Sequence, residues 1–377
     1  MYARTFTGLA PGIHINLIGV FLVFLSVSLF RNTNPLSLIS FVVAMAITHT
    51  FIDFIPSIFL GAPEEDTFLS ILPGHQLLKE GKGYEAVILT LYGSIFALLI
   101  IIIFIPIFLL FIPKIYELFS FLIPYVLIFA SAYLILRESS PLLSFIVFSL
   151  SGFLGFFTLN LPINQPLFPL LTGLFGTSAL IISLKNKTSI PKQTIIPLKK
   201  IMINRKQLIK SSIAVSLTAP LSSFLPGMGS GQSAFIASEI TKHDSRSFLF
   251  LVGATNTIVM ALSFIVLYSL GRARTGSAAA IKDIIPNLSA SNLSIIIITI
   301  ILSSIISFFI GIFIAKNLVF LLNKINYVKI SIFVLIFLVV LSLIISNILG
   351  LIVLITSTSL GIFCILSNVR RINLMGC

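Results

Sequence analysis

The sequence predicts an all-α, polytopic integral membrane protein, and three observations carry that prediction. Of the 377 residues, 57% are hydrophobic, only 9% are charged, and the mean hydropathy is +1.14. Soluble domains carry about 25% charged residues, so a chain this poor in charge cannot cover a surface facing water. Its apolar residues come in long runs rather than in the short alternating segments of an outer-membrane barrel. A water-soluble enzyme, a nucleic-acid binder and a disordered chain are thereby excluded, despite a net charge of +13.

Runs free of Asp, Glu, Lys and Arg cover 9–30, 32–52, 86–113, 118–136, 139–184, 211–238, 247–271, 284–315 and 330–369. One span takes roughly 20 apolar residues. The run 139–184 would be roughly 69 Å long as a single helix, against a hydrocarbon core of roughly 30 Å. It is expected to break at Asn160, Pro162, Asn164 and Pro166, and 330–369 near Ser346, Asn347 and Gly350. The total is about 10–11 apolar helical segments. The first eight residues, with Arg4, do not form a typical secretory signal, and Cys364 and Cys377 show neither a disulfide framework nor metal-type spacing.

Loop charge sets orientation. The stretch 185–210 holds Lys185, Lys187, Lys192, Lys199, Lys200, Arg205, Lys206 and Lys210 with no acid, which places it in the cytoplasm beside anionic headgroups. No aromatic residue interleaves these charges, so nucleic acid is not an expected partner. The stretch divides the chain into a first membrane half, 1–184, and a second, 211–377. Segment 211–238 contains Pro220, Pro226, Gly227, Gly229 and Gly231 and either crosses or dips in and returns. If it returns, seven later basic residues (Lys242, Arg246, Lys316, Lys324, Lys329, Arg370, Arg371) stay inside and three (Arg272, Arg274, Lys282) lie outside, which favours a re-entrant or broken segment.

The two halves echo one another. Pro11-Gly12 and Pro226-Gly227 lie 215 residues apart, Thr48-His49-Thr50 and Thr255-Asn256-Thr257 lie 207 apart, and glycine-bearing breaks follow at Gly61 and Gly271. Repeated halves with Pro/Gly-interrupted apolar segments are a signature of secondary transporters. Broken backbone inside a membrane is tolerated only beside protein or a watery cavity. A half-helix N-terminus there suits an anion, and the opposite ends present carbonyls suited to a cation. The plainer reading of each Pro-Gly pair is a kink made for packing. The expected substrate site is Pro11, Gly12, His14 and Asn16 with Pro226, Gly227, Gly229, Ser230, Gly231 and Gln232, joined by Thr255 and Asn256.

Asp53 lies deep in an apolar stretch, where a charge costs about 2.5–3.5 kcal/mol on insertion scales. His49 lies four residues earlier on the same helical face. With Thr48 and Thr50 they are candidates for carrying a proton or contacting a cation; Asp53 reads equally as a helix-end acid. Glu64 and Asp66, after Gly61-Ala62-Pro63, form either a cation site or an N-cap group. Arg272 and Arg274 either pair with a carboxylate or snorkel at the interface. Gly227-x-Gly229-x-Gly231 lacks the following Lys-Ser/Thr of a phosphate loop, and the four histidines form no H-E-x-x-H zinc motif. Two other classes stay open: a membrane-embedded enzyme acting on a lipid-linked substrate through His14, His49, Asp53 and the 64–66 acids, and a scaffold subunit without transport of its own.

Gly8-Leu9-Ala10-Pro11-Gly12, the stretch Leu72-Pro73-Gly74-His75-Gln76-Leu77-Leu78-Lys79-Glu80-Gly81-Lys82-Gly83, and Leu225-Pro226-Gly227-Met228-Gly229-Ser230-Gly231 carry a family resemblance. Over most of its length the chain resembles the permease, the large membrane subunit, of the tripartite tricarboxylate transporters. It is more compact than typical members, with only ten residues before Pro11. The resemblance implies a plasma-membrane importer of small carboxylates, coupled to Na⁺ or H⁺ and working by alternating access, with no cofactor and no catalysis. A small membrane subunit and an extracytoplasmic substrate-binding protein are the implied partners.

Overall fold

The structure, a computed structural model, describes residues 34–60, 71–119, 121, 123–163, 166–185, 191–224, 229–240, 244–322 and 327–376, and among these there is no strand. The helices are α1 Pro35–Ile52, α2 Phe54–Leu60, α3 Ile71–Lys79, α4 Gly83–Phe119, α5 Ile123–Leu136, α6 Pro141–Leu159, α7 Leu167–Leu171, α8 Ser178–Lys185, α9 Arg205–Phe224, α10 Ser230–Ile240, α11 Ser245–Leu270, α12 Gly276–Ile284, α13 Ala290–Leu322 and α14 Tyr327–Leu366. A π-helical segment, Thr172–Thr177, joins α7 to α8. Six stretches among the described residues are long and apolar enough to cross a membrane: Pro35–Phe59, Gly83–Phe111, Pro141–Leu159, Ser245–Leu270, Ala290–Leu321 and Ser331–Leu366.

Both expected breaks occur. α6 stops at Leu159 with Asn160 as its C-cap, before the prolines that cannot continue it. α14 is interrupted at Asn347, whose backbone (φ 58°, ψ −165°) is not helical. The expected first run, 9–30, lies outside the described residues.

α11 is the centre of the molecule: every residue from Leu249 to Leu267 is buried. With no water in the bilayer to drive association, helices gain by close approach, and small residues permit it. Gly93 of α4 and Gly253 of α11 meet in this way. A Cβ on Gly93 would overlap the Phe250 carbonyl, and one on Gly253 would overlap the Thr90 carbonyl. Ser94 Oγ then donates to Gly253 O at 3.1 Å. At the start of both helices Arg246 Nη2 meets the buried Glu85 Oε1 at 2.8 Å. α4 and α11 therefore run parallel from one end of the bundle.

α9 starts at that same end. Gln207 and Ser247 are hydrogen bonded at 2.9 Å, and Ser211 Oγ donates to Ser247 O at 3.5 Å. The stretch between Ser211 and Ser247 thus leaves and returns to one face, in line with the re-entrant reading of 211–238. α1 and α13 run the other way: Thr50 and Asp53 face Thr257 and Asn256 in reverse order, and Tyr92 stacks on Phe308 while a Cβ on Gly311 would press on Leu91.

The basic stretch is not a loose tether where it is described. Thr194 N donates to Gly81 O at 2.9 Å, Gln193 Oε1 accepts from Gly83 N at 2.8 Å, and Tyr92 Oη donates to Leu198 O at 3.0 Å. Residues 191–201 are thereby strapped across the α3–α4 turn.

A second, smaller cluster packs α6, α7, the π segment and the latter part of α14. Gly173 and Gly361 bring the π segment and α14 together, and Arg371 Nη1 donates to Phe175 O at 3.2 Å. The buried Glu138 accepts from Asn373 Nδ2 at 2.9 Å. Exposed leucines, isoleucines and phenylalanines on α5, α6, α13 and α14 face outward, as lipid contact requires.

Replacing Gly253 by leucine is expected to part α4 from α11 and lower the thermal unfolding midpoint of the detergent-solubilised protein by more than 5 °C. An unchanged midpoint would contradict the close approach described here.

Candidate functional site

The α1–α2 junction sits against the middle of α11. α1 ends at Ile52, and Asp53 caps it with its N–H on His49 O at 3.0 Å. Pro56 follows inside α2 and has no N–H, so the Ile52 carbonyl lacks the ordinary donor four residues on. Ser57 Oγ donates to Asp53 O at 2.9 Å. These substitutions of side chain for backbone hold the kink and point the Asp53 side chain across to α11.

Asp53 is 2% exposed, and Asn256 Nδ2 donates to its Oδ2 at 2.9 Å. The amide orientation follows from chemistry: only the NH₂ side can donate to a carboxylate, which leaves the Asn256 oxygen as an acceptor. One turn away, Thr50 Oγ1 lies 3.2 Å from Thr257 Oγ1. Ser307 of α13 donates to Thr48 Oγ1 at 2.9 Å. His49 is buried beside them in the sequence. The result is two buried polar contacts on α1: Asp53 and Thr50 meet Asn256 and Thr257 of α11, and Thr48, about 200° from Thr50 around the helix, meets Ser307 of α13. Hard cations select oxygen donors of this kind, and a carboxylate with a nearby imidazole is also a proton-carrying pair.

The structure thus joins Asn256, grouped from sequence with the substrate site, to Asp53, grouped with ion coupling. Thr255 belongs to neither contact: its hydroxyl donates to Leu251 O of its own helix at 2.8 Å. Gly229 precedes α10, Ser230 and Gly231 are buried in its first turn, and Gln232 lies in that helix. Pro11, Gly12, His14, Asn16, Glu64, Asp66, Pro226 and Gly227 lie outside the described residues. Ser307 and Ser57 were not foreseen. Ser307 is one hydroxyl in a long apolar run, with nothing in the sequence to distinguish it. Thr257 had a signal, as the third residue of the repeated triplet.

A family model for the tripartite tricarboxylate transporter TctA family matches residues 2–376. The chain belongs to that family. As a TctA-family protein it is a multi-pass membrane permease, and the spanning helices above agree. It is also 32% identical over 382 residues to an uncharacterised protein of Methanocaldococcus jannaschii, covering 98% of this chain and 93% of the relative. No solved structure matches.

Removing the Asn256 amide leaves a buried carboxylate with one donor fewer, at a cost of at least ~2 kcal/mol. Asn256→Leu is therefore expected to lower the unfolding midpoint clearly, and Asn256→Leu combined with Asp53→Leu to restore most of the loss. Two additive losses would show that the residues are not coupled.

Proposed function

We propose that this permease is a secondary active transporter importing small carboxylates, di- or tricarboxylates, across the plasma membrane, with Na⁺ or H⁺ as the driving ion. The observation that carries the reading is the contact of Asp53 and Thr50 with Asn256 and Thr257, in a chain that matches a transporter family along nearly its whole length. The contact joins the two halves at the point where the repeated triplets meet.

Several correspondences support the two-half plan, 1–184 and 211–377 about the basic linker 185–210. α3 and α12 each have nine residues and begin 205 apart. α4 and α13 begin 207 apart, the same separation as the touching Thr50 and Thr257. α1 is antiparallel to α11, and α4 to α13, which is the relation of an inverted repeat. Thr50 and Thr257 are, in this reading, counterparts that touch, as residues beside a pseudo-two-fold axis in the membrane plane would. In this reading substrate binds near the midplane at the segments around Pro11-Gly12 and Pro226-Gly227, and one half rocks against the other. The driving ion binds at Asp53, with Thr50, Thr257 and the Asn256 oxygen as further ligands, or a proton is carried by Asp53 and His49. A small membrane subunit and an extracytoplasmic binding protein complete the system, as the family's name implies of its members.

The test is uptake of labelled di- and tricarboxylates into proteoliposomes under an inward Na⁺ or H⁺ gradient. A gradient of one ion is expected to raise uptake at least tenfold, and Asp53→Asn to abolish the gradient response. Uptake of no carboxylate under either gradient would overturn the proposal.

A further inference from the structure

We infer that Pro56 frees the Ile52 carbonyl to bind the driving ion, as a metal cation, beside Asp53; this rests on the transport reading and adds a ligand together with the residue that supplies it. In an α-helix each carbonyl accepts from the N–H four residues on. For Ile52 that residue is Pro56, inside α2, whose ring nitrogen carries no hydrogen. Ile52 is fully buried, and among the described residues no other group donates to its carbonyl. The nearby hydroxyl of Ser57 goes instead to the next carbonyl, that of Asp53, at 2.9 Å. Prolines 106, 113 and 220 free carbonyls too, but those belong to Ile102, Leu109 and Ser216, none of which is buried.

A buried carbonyl without a donor is costly inside a bilayer, so it marks either a kink made for packing or the place of a ligand. The second half separates the two. On the offset of 207 that relates Thr50 to Thr257, Asp53 corresponds to Met260 and Pro56 to Ser263. α11 passes through both positions without interruption, and both are buried. A helix in the equivalent place therefore packs without a break. The first half carries an acid and a proline, three residues apart, where its counterpart carries neither.

Carbonyls at the C-terminal end of a half-helix carry the negative end of its dipole, and hard cations select oxygen donors. Ile52 is the last residue of α1, and Asp53 follows it directly with a carboxylate. From α11, Asn256 turns its NH₂ to Asp53 Oδ2 at 2.9 Å and keeps its own oxygen as an acceptor. Carboxylate, amide oxygen and freed carbonyl thus leave two helices at one level of the bundle. A proton needs the carboxylate alone. Only a metal ion, which takes several oxygens at once, gains from a carbonyl whose donor has been removed.

The experiment follows the unfolding midpoint of the full chain in nanodiscs while NaCl replaces choline chloride at constant ionic strength, because an ion that binds the folded state raises that midpoint. The wild type is expected to show a saturable rise, which yields an apparent Na⁺ affinity. Pro56→Ala returns an N–H to the Ile52 carbonyl and is expected to weaken that affinity at least 10-fold, with the Na⁺-free midpoint no lower than in the wild type. Lactic acid in place of Pro56, the analogue of alanine without an N–H, is expected to keep the affinity within threefold of the wild type. Should Pro56→Ala not fold, the lactic acid variant decides. Pro56→Ala within twofold of the wild type, or a loss of 10-fold or more with lactic acid, would overturn the role of Ile52 and leave the transport reading intact. A wild-type midpoint blind to Na⁺ would overturn the metal site, and the transport reading would fall with it only if no carboxylate is taken up under a H⁺ gradient.

Discussion

Inside a bilayer a backbone carbonyl deprived of its helical donor has no water to turn to, and the polar architecture of this protein follows from that constraint. Prolines create such carbonyls within the described helices: Pro106 and Pro113 of α4 for Ile102 and Leu109, Pro220 of α9 for Ser216, and Pro56 of α2 for Ile52. The last of these lies next to the buried Asp53, whose carboxylate Asn256 meets from α11.

The rest of the core exists to bring these positions together. α11 carries Asn256 and Thr257 to the interior, and the close approach of Gly93 and Gly253 lets α4 lie against it. With larger residues at those two points, α11 would sit further out. Glu85 and Arg246 fix the shared starting level of the two helices, from which the depth of every later residue is counted.

Much of this was legible in the sequence. Composition alone gave the helical membrane class, and Asn160 with Pro162, and Asn347, marked where long apolar runs stop or bend. Asp53 was conspicuous because a carboxylate in an apolar run is costly. The repeated triplets were visible too, but not that they touch: spacing along a chain carries no information about which faces meet, and Asn256 was accordingly grouped with substrate rather than with Asp53. Ser307 was illegible for a different reason. Serines are common in membrane helices as back-bonded hydroxyls, as Ser303 and Thr299 are here, and only the packing of α13 on α1 singles one out.

The strap formed by 191–201 has a mechanical consequence. Anchored at Gly81, Gly83, Leu78 and Tyr92, it belongs to the α3–α4 corner as firmly as a side chain belongs to its helix. Ile201 is buried, and α9 begins at Arg205. Asn204 already caps α9, accepting from Lys206 N at 3.0 Å and Leu208 N at 2.8 Å, and Ile203 packs against the core, so α9 is coupled to the α3–α4 corner with almost no slack between them.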